Sequence, residues 1–377
     1  MEGRMKILFL IPTLGHGGAE RVLVNLVNNL DKSKYQVTVQ TLFDEGVNKQ
    51  YLSPEVNYKS FGKHQFRGNC FLLSLLPSTF LYKWIVNDQY DIVISYLEGP
   101  TTRILSGCPF PDTKKVYWVH IEMRDKKSLK VGFLRFSQAV AAYSEASRIV
   151  FVANSVKDCF NRTVGASFPT EITLYNTNET EQILHKSREQ IADVIFSKAT
   201  VNICSVAKII HSKGFDRLAR VHERLEKEGL THHIYILGVG SEQEKIENYL
   251  REHGVSEGFT FLGYRENPYK YVAACDLYVC SSRREGFSTA VTESLIVGTP
   301  VVSTDCSGAR ELLGEHDEYG IVTDNSEEGI YEGMKKMLQN PGLLRHYAQK
   351  AKERGHKFSR EETVKAVEDM LDNLFNG

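Results

Sequence analysis

The regular alternation of short apolar segments with helical segments is the feature that most constrains the fold of this 377-residue chain. Continuous apolar runs are typical of strands buried on both faces, and strands that alternate with helices form parallel, doubly wound sheets. The strands expected in the first half are 5–12, 35–43, 90–97, 114–120 and 147–155. The pattern then restarts, with strands expected at 200–208, 233–240, 258–264, 276–282, 300–306 and 320–324. The sequence therefore predicts an α/β protein with two units of similar size.

The boundaries of these units follow from where the pattern restarts. We expect a Rossmann-like N-terminal domain over 1–175 and a Rossmann-like C-terminal domain over 176–355, with the polar stretch 176–190 as the linker. A final helix, 356–377, is expected to pack back toward the first domain. The cleft between two such domains is the usual place for a ligand.

The cysteine content and the absence of long apolar runs indicate the cellular compartment. The seven cysteines are scattered and form no C-x-x-C pair, which favours a reduced cytosolic protein without a disulfide framework or a structural zinc site. No run of about 18 apolar residues and no secretory leader is visible, so neither a spanning helix nor a signal peptide is expected. The chain also lacks a D-x-D motif, and we expect no metal and no cofactor in the reaction.

Charge and two unusual stretches in the first half suggest contact with an anionic membrane. Residues 1–170 hold 21 Lys and Arg against 14 Asp and Glu, whereas the remainder holds 25 against 33. The stretch 69–86 is very apolar, and 124–136 mixes basic with apolar side chains, as interfacial segments do. The alternative is a core helix followed by a solvated loop. Nothing in the pattern points to nucleic acid.

Two lysines in the second half, Lys208 and Lys213, flank the end of an expected strand in ICSVAKIIHSKGFD. Ligands of open parallel sheets lie at the carboxyl ends of the strands, and helix starts favour anions. Two ammonium groups there would stabilise the negative charge that develops on a leaving diphosphate. Considered alone, two lysines at a strand end are more often solvated surface residues.

Two glutamates in EGFSTAVTE also indicate a ligand-binding site in the second half. Glu285 lies in the turn after the strand 276–282, where a carboxylate can accept hydrogen bonds from two sugar hydroxyls. Glu293 lies in the following helix among apolar neighbours, so it needs polar partners, and ribose hydroxyls would serve. The backbone N–H groups of Phe287, Ser288 and Thr289 are placed to donate to phosphate at the start of that helix. The alternatives are a surface turn residue for Glu285 and a locally satisfied carboxylate for Glu293.

Weaker signals come from glycine turns and one histidine. Gly240, in the strand-end turn GVG, would allow close approach of a nucleotide, and Tyr264 would line the base, although plain turn chemistry explains both. Gly17 and Gly18 lie in the first strand-to-helix turn, GHGGAER, whose spacing differs from the dinucleotide G-x-G-x-x-G pattern. His120 ends an expected strand near the same edge. A single histidine is more often structural.

Taken together, these motifs resemble glycosyltransferase family 4, retaining enzymes of the GT-B fold that build bacterial surface polysaccharides. The matching segments are GHGGAER, the strand-end His120, YN at 175–176, VAKIIHSKGFD, ILGVG, FLGY and EGFSTAVTESLIVGTPVVSTDCSGARELL. Two positions depart from the family pattern. Lys208 stands where the family usually has arginine, so the bidentate fork is lost, and Asn176 is followed by threonine rather than glycine.

The resemblance implies roles for the candidate residues. Glu285 would contact the donor sugar, Glu293 the ribose, and Lys208 and Lys213 the diphosphate. Tyr264 would flank the base, and His120 would lie near the reacting carbon. Gly17 and Gly18 would let the first domain approach donor and acceptor. Catalytic roles fall on Glu285, His120, Lys213 and Lys208, and donor binding on Glu293, Gly17, Gly18, Gly240, Tyr264, Phe287, Ser288 and Thr289.

The function implied is transfer of a hexose or N-acetylhexosamine, from a UDP rather than a GDP sugar, to a lipid-linked or growing surface glycan such as a capsule. The protein would act in the cytoplasm at the inner face of the plasma membrane. Three alternatives remain: transfer to a soluble acceptor, a sugar-nucleotide epimerase of the same fold, and a binding module without activity. Liposome flotation tests for a soluble acceptor, and incubation of the donor without acceptor tests for an epimerase. Assays of donor hydrolysis test for a binding module without activity.

Overall fold

The computed structural model of the chain describes residues 4–15, 17–65 and 68–376. The chain divides into two compact units. Unit 1 comprises the described residues up to Asn178 together with the segment from Arg360 onward, and unit 2 spans Glu179–Ser359. His16, in the predicted glycine loop, lies outside the described residues.

Unit 1 alternates strands and helices from its first strand onward. Its strands are β1 (Met5–Ile11), β2 (Tyr35–Phe43), β3 (Asn57–Gly62), β4 (Ile92–Ser95), β5 (Lys114–Val119), β6 (Arg148–Phe151) and β7 (Glu171–Thr173). Its helices are α1 (Gly18–Asn29), α2 (Asn69–Leu75), α3 (Ser78–Ile85), α4 (Pro100–Ser106), α5 (Lys126–Leu129), α6 (Phe136–Ser144) and α7 (Asn154–Val164), with a 3₁₀ turn at Val47–Tyr51.

Unit 2 repeats the alternation. Its strands are β8 (Val201–Val206), β9 (His232–Leu237), β10 (Phe259–Gly263), β11 (Leu277–Cys280), β12 (Val301–Thr304) and β13 (Ile321–Thr323). Its helices are α8 (Thr180–Ser187), α9 (Phe215–Lys227), α10 (Gln243–Glu252), α11 (Tyr269–Ala274), α12 (Thr289–Val297), α13 (Ala309–Leu313), α14 (Glu327–Leu338) and α15 (Pro341–Gly355), with 3₁₀ turns at His211–Lys213 and His356–Phe358. The last helix, α16 (Arg360–Asn376), belongs to unit 1.

Both sheets are parallel, and both reverse their strand order once. The order is β3-β2-β1-β4-β5-β6-β7 in unit 1 and β10-β9-β8-β11-β12-β13 in unit 2. The first strand of each unit is therefore central and buried on both faces, as in β1, where Ile7 to Ile11 have no exposed surface. The switch points lie between β1 and β4 and between β8 and β11, where doubly wound sheets bind ligands. The prediction of two doubly wound α/β units is confirmed.

Some elements differ from the prediction. The expected linker contains helix α8, whose Ile183 is buried, and the unit boundary falls after Asn178. The apolar stretch 69–86 is two short helices, because Pro77 lacks an N–H and precedes the first residue of α3. Strands β3 and β7 were not predicted, since neither carries a continuous apolar run.

Helix α16 is fixed to unit 1 by polar contacts as well as by its buried face. The backbone N–H of Asp31 donates to Glu368 Oε1 at 2.7 Å, and the Tyr35 hydroxyl donates to Asp372 Oδ1 at 2.5 Å. Val367, Met370, Leu371 and Leu374 are buried. The last helix therefore completes the unit in which the chain begins.

Candidate active site

The predicted lysines and Glu285 meet at the switch point of unit 2. Lys208 and Lys213 follow β8, and Glu285 follows β11, the strand beside it. The Lys213 ammonium lies 2.6 Å from Glu285 Oε1, with side-chain exposures of 24% and 13%. The Ser282 hydroxyl donates to the same oxygen at 2.6 Å. A half-buried cation and carboxylate thus occupy the edge of the sheet where a ligand is expected.

Hydrogen bonds join the two loops that carry this ion pair. The Ser281 hydroxyl donates to the Lys213 carbonyl at 2.9 Å, and the Arg283 backbone N–H donates to the Ser212 carbonyl at 2.8 Å. The Arg283 guanidinium binds both carboxylate oxygens of Asp216, at 2.6 and 2.7 Å. Such a bidentate pair is the strongest type of charged contact, so the loops hold Lys213 in a fixed position.

The charge of Asp216 is stabilised by two arginines. Burial alone would raise its pKa, but the guanidinium groups of Arg283 and Arg220 outweigh this effect and hold the pKa well below its usual range. Neither Arg283 nor Asp216 was singled out in the sequence, because charged residues at strand ends are common and only the bonds between the loops distinguish them.

Gly214 allows the loop after β8 to pack closely against Ser281 in the loop after β11. Its φ is +70°, in the left-handed region, and a Cβ at this position would overlap the Ser281 carbonyl oxygen. Glycine is the residue that adopts this backbone conformation without steric cost, and it begins the turn into α9.

We expect Gly214→Ala to lower the free energy of unfolding of unit 2 by about 2–4 kcal/mol, from the left-handed backbone and the overlap together. Gly229 is a matched control, because its φ is +76° but nothing lies within 4 Å of its Cβ position. Gly229→Ala should cost only about 1 kcal/mol. Urea unfolding measures both, and equal losses would contradict the close packing of Gly214 against Ser281.

Helix α12 begins beside Glu285 and is capped by its own sequence. The Ser288 hydroxyl accepts from the Val291 N–H at 3.4 Å, so this side chain serves the helix. Phe287 is buried and packs edge-on against Phe358, with ring centroids 5.9 Å apart. Any contribution of Phe287 and Ser288 to a ligand would therefore come from the backbone, together with Thr289 at the first helical position.

Glu293 lies one turn into α12 and is half-buried. The Tyr269 hydroxyl donates to its Oε1 at 3.4 Å. Tyr269 is the first residue of the preceding helix, α11. The Tyr269–Glu293 pair therefore lies on the side of α12 that faces α11. Its role toward a ribose stays a prediction.

The glycine turn after β9 has a packing reason of its own. Cβ atoms at Gly238 and Gly240 would overlap the carbonyl oxygens of Ala207 and Ile209, so this turn lies directly on the segment that carries Lys208. Lys208 is exposed, and its ammonium forms no ion pair with any residue in the described part of the chain. It is thus available to an anion. Tyr264, after β10, is 63% exposed.

In unit 1, His120 follows β5 and is buried. Burial lowers its pKa to about 3, although a hydrogen bond to the Tyr96 backbone opposes this shift. Its Nε2 has no hydrogen-bond partner among the described residues, and its backbone N–H donates to Glu98 Oε2 at 3.1 Å. The rings of Tyr96 and His120 are 4.7 Å apart. His120 is therefore a neutral imidazole at neutral pH, with one nitrogen available for a further hydrogen bond.

Gly17 and Gly18 are placed at the start of α1, after β1. Gly17 is the residue before the helix, and a Cβ there would overlap the Glu20 carboxylate. Gly18 is exposed at the first helical position. Gly17, Gly18 and His120 thus belong to unit 1, and the other candidate residues belong to unit 2, where Lys213 and Glu285 are in direct contact.

Comparisons with known proteins identify the class. Residues 16–173 match the family described as Glycosyltransferase Family 4, and residues 187–354 match the family described as Glycosyl transferases group 1. Together the two matches take in most of both units, without β1 and α16.

Similar proteins include two N-acetylgalactosaminyltransferases of Campylobacter jejuni. One, an N-acetylgalactosamine-N,N'-diacetylbacillosaminyl-diphospho-undecaprenol 4-alpha-N-acetylgalactosaminyltransferase, is 36% identical over 203 residues, which is 53% of this chain and 52% of that protein. The chain thus spans about half the length of this relative in the match. The other, named for a GalNAc-GalNAc-diNAcBac-PP-undecaprenol acceptor, is 24% identical over 97% of this chain and 99% of that protein.

Solved structures show the same fold. The Anabaena protein Alr3699/HepE, in complex with UDP and glucose, superposes with a TM-score of 0.77 and 18% identity, covering 98% of this chain and 100% of that chain. The two-sheet, doubly wound architecture is that of the GT-B glycosyltransferases. The chain belongs to the glycosyltransferases, with a family 4 first half and a group 1 second half.

Proposed function

We propose that this glycosyltransferase moves a hexose or an N-acetylhexosamine from a nucleotide diphosphate sugar, a UDP sugar rather than a GDP sugar, to a lipid-linked or growing surface glycan. The observation that carries the proposal is the Lys213–Glu285 pair, 2.6 Å apart at the switch point of unit 2. A cation beside a carboxylate suits a donor that presents a diphosphate next to sugar hydroxyls.

In this proposal the protein acts mainly by charge and position. The ammonium groups of Lys213 and Lys208 stabilise the diphosphate as the bond between the anomeric carbon and its phosphate oxygen breaks. Glu285 accepts hydrogen bonds from sugar hydroxyls, and Glu293 from the ribose. The acceptor oxygen attacks from the face that the phosphate leaves, its proton passes to a phosphate oxygen, and the anomeric configuration is retained.

The proposed acceptor rests on the relatives. Both Campylobacter enzymes are named for undecaprenol diphosphate acceptors and for N-acetylgalactosaminyl transfer. A donor with an N-acetylhexosamine and an acceptor on a polyprenyl diphosphate are therefore the first to test. The proposed place of action is the cytoplasmic face of the membrane that holds such a lipid.

The surface of unit 1 carries an apolar patch that suits this location. The patch consists of five side chains that are each at least 50% exposed: Phe71, Leu72, Leu75, Phe80 and Trp84. Isolated exposed apolar residues are common, but contiguous ones mark interaction surfaces. Here α2 and α3 follow one another, and the Phe80 and Trp84 rings lie 5.8 Å apart. None of the helices in the described ranges is long and apolar enough to span a membrane.

A basic segment lies near α2, because Arg103 of α4 contacts both the backbone of α2 and Phe133 of that segment. Arg103 donates to the carbonyls of Leu73 and Leu76 in and after α2, and its guanidinium lies 5.7 Å from the ring of Phe133. Around Phe133 the segment 124–136 exposes basic and apolar side chains, namely Arg124, Lys126, Lys127, Lys130, Val131, Leu134 and Arg135. Apolar side chains rimmed by cations are the composition of an interfacial membrane site.

We expect the double variant Leu72→Ser/Leu75→Ser to bind anionic liposomes about tenfold or more weakly than the wild type, because each buried CH₂ contributes about 0.8 kcal/mol. Flotation with phosphatidylglycerol vesicles measures this. Ile195→Ser is the control, since Ile195 is 95% exposed in unit 2. Equal flotation of both variants and the wild type would exclude the patch as the membrane site.

The donor class is tested by thermal shift with UDP- and GDP-linked hexoses and N-acetylhexosamines. A ligand at 100 times its dissociation constant stabilises the folded protein by about 2.7 kcal/mol. The proposal predicts a clear rise for a UDP sugar in the wild type and a much smaller rise in Lys213→Ala. No shift with any nucleotide sugar would contradict it.

A further inference from the structure

Two buried histidines of unit 2 lie far from the proposed donor site, at the edge of the sheet where the strands begin. His222 is on α9 and His232 is the first residue of β9, with exposures of 0% and 2%. Glu226 lies one turn after His222 on the same helix. One ligand atom from each of the three residues lies within 4.8 Å of the others.

Hydrogen bonds to the backbone fix which ring nitrogens carry protons. His222 Nε2 lies 2.9 Å from the Val255 carbonyl oxygen, and His232 Nδ1 lies 2.7 Å from the Leu230 carbonyl oxygen. A carbonyl oxygen only accepts, so each contact requires an N–H on the histidine. A neutral imidazole has one N–H, and each of the two histidines donates its N–H to a backbone carbonyl.

The two remaining nitrogens face each other with no proton left between them. His222 Nδ1 and His232 Nε2 are 2.9 Å apart. With both backbone bonds made, two lone pairs meet at hydrogen-bond distance, which is unfavourable unless a cation lies there. That cation is either a third proton or a metal ion.

Glu226 supplies the negative charge that a cation would need. Its Oε1 is buried without a hydrogen-bond partner among the described residues, and it lies 3.4 Å from His232 Nδ1. Histidine and glutamate spaced four residues apart on one helix face both project toward the same neighbour. The carboxylate side chain is 33% exposed, so it can turn toward the facing nitrogens.

We propose that His222, Glu226 and His232 form a binding site for a transition-metal ion of the zinc type. Two imidazole nitrogens and one carboxylate oxygen, with water as the fourth ligand, are a common zinc donor set. Tetrahedral zinc at about 2.0–2.1 Å from nitrogen requires the facing nitrogens to separate from 2.9 Å by only a few tenths of an ångström.

The ion would join α9, which carries His222 and Glu226, to the start of β9. The expectation of no structural zinc rested on the cysteines and that of no metal in the reaction on the missing D-x-D motif, and this site uses neither. The two backbone bonds orient the rings as partners of metal-bound histidines do, with the N–H that does not face the metal donating to a carbonyl.

The test is zinc binding by the full chain after treatment with chelator and dialysis. Calorimetry should show one zinc per chain, Co²⁺ in its place should give visible absorption bands, and zinc should raise the melting temperature. Glu226→Gln keeps the shape of a partly exposed side chain and should weaken zinc binding about tenfold or more, as should His232→Gln. His346→Gln, which removes an exposed histidine on α15, should leave it unchanged.

Two results would overturn the proposal. One is the absence of zinc binding by the wild type, or binding that Glu226→Gln and His232→Gln leave unaltered. The other is a nitrogen NMR spectrum of the zinc-free protein at neutral pH showing His222 and His232 sharing a third proton, because a proton would then fill the place assigned to the metal.

Discussion

Replacing either Lys213 or Glu285 by alanine is expected to lower glycosyl transfer by at least about 100-fold, because each removes a preorganised charge at the reacting diphosphate and sugar. The two side chains lie 2.6 Å apart, and Ser282 and the Arg283–Asp216 pair hold their loops. Initial rates with saturating donor and acceptor measure the loss, and circular dichroism shows whether the variant remains folded.

The matched control for this experiment lies on α9, the helix that follows Lys213. Lys227 forms an ion pair with Glu223 at the opposite end of that helix from Lys213. Lys227→Ala removes the same kind of side chain from a Lys–Glu pair, and it should leave transfer within about twofold of wild type because this pair lies at the far end of α9 from the proposed donor site. Full turnover by folded Lys213→Ala or Glu285→Ala would contradict the roles assigned to the pair.

His120→Gln is expected to lower transfer by about 100-fold, because the flexible amide does not hold its hydrogen-bonding atoms where the buried imidazole holds Nε2. Since burial holds the pKa of His120 at about 3, the imidazole is neutral at assay pH. The pH–rate profiles of the wild type and of His120→Gln should therefore have the same shape near pH 6.5, with no inflection that belongs to His120. Such an inflection would indicate that His120 acts as an acid or a base.

The lowered pKa of His120 also makes the stability of the folded protein depend on pH. The unfolded chain binds a proton at this position below about pH 6.5, whereas the folded chain does so only near pH 3. Between these values stability falls as pH falls, by up to about 1.4 kcal/mol per pH unit from this residue. Urea unfolding across pH 4–7 should give a shallower loss for His120→Gln, and identical slopes would contradict burial of a neutral imidazole.

The sequence predicted most of the fold because the central strands are buried on both faces. Continuous apolar runs located β1 and β8 to within one or two residues at each end. The edge strands escaped this signal. In β3 exposed residues alternate with half-buried ones, and in β7 three half-buried residues form the strand. Helix α8 escaped because one buried apolar residue, Ile183, is too little to mark a helix in a polar stretch.

The sequence identified candidate residues of the site but not their contacts. Lys213 and Glu285 are 72 residues apart, and they meet because β11 pairs with β8 rather than with β10. That strand order is not visible in periodicity. The structure adds that Gly238 and Gly240 pack against the Ala207–Ile209 backbone, and a role of Gly240 toward a nucleotide stays a prediction. The His222–His232 contact likewise depends on packing that no spacing indicates.

The most direct test of the central claim is a transfer assay with the purified protein, a UDP-N-acetylhexosamine and a polyprenyl-diphosphate-linked glycan, in the presence of chelator at 25 °C. The proposal predicts that UDP and glycosylated acceptor form in equal amounts, and that NMR shows the new glycosidic bond with the anomeric configuration of the donor. A product of inverted configuration, or donor that is epimerised without transfer to the acceptor, would contradict it.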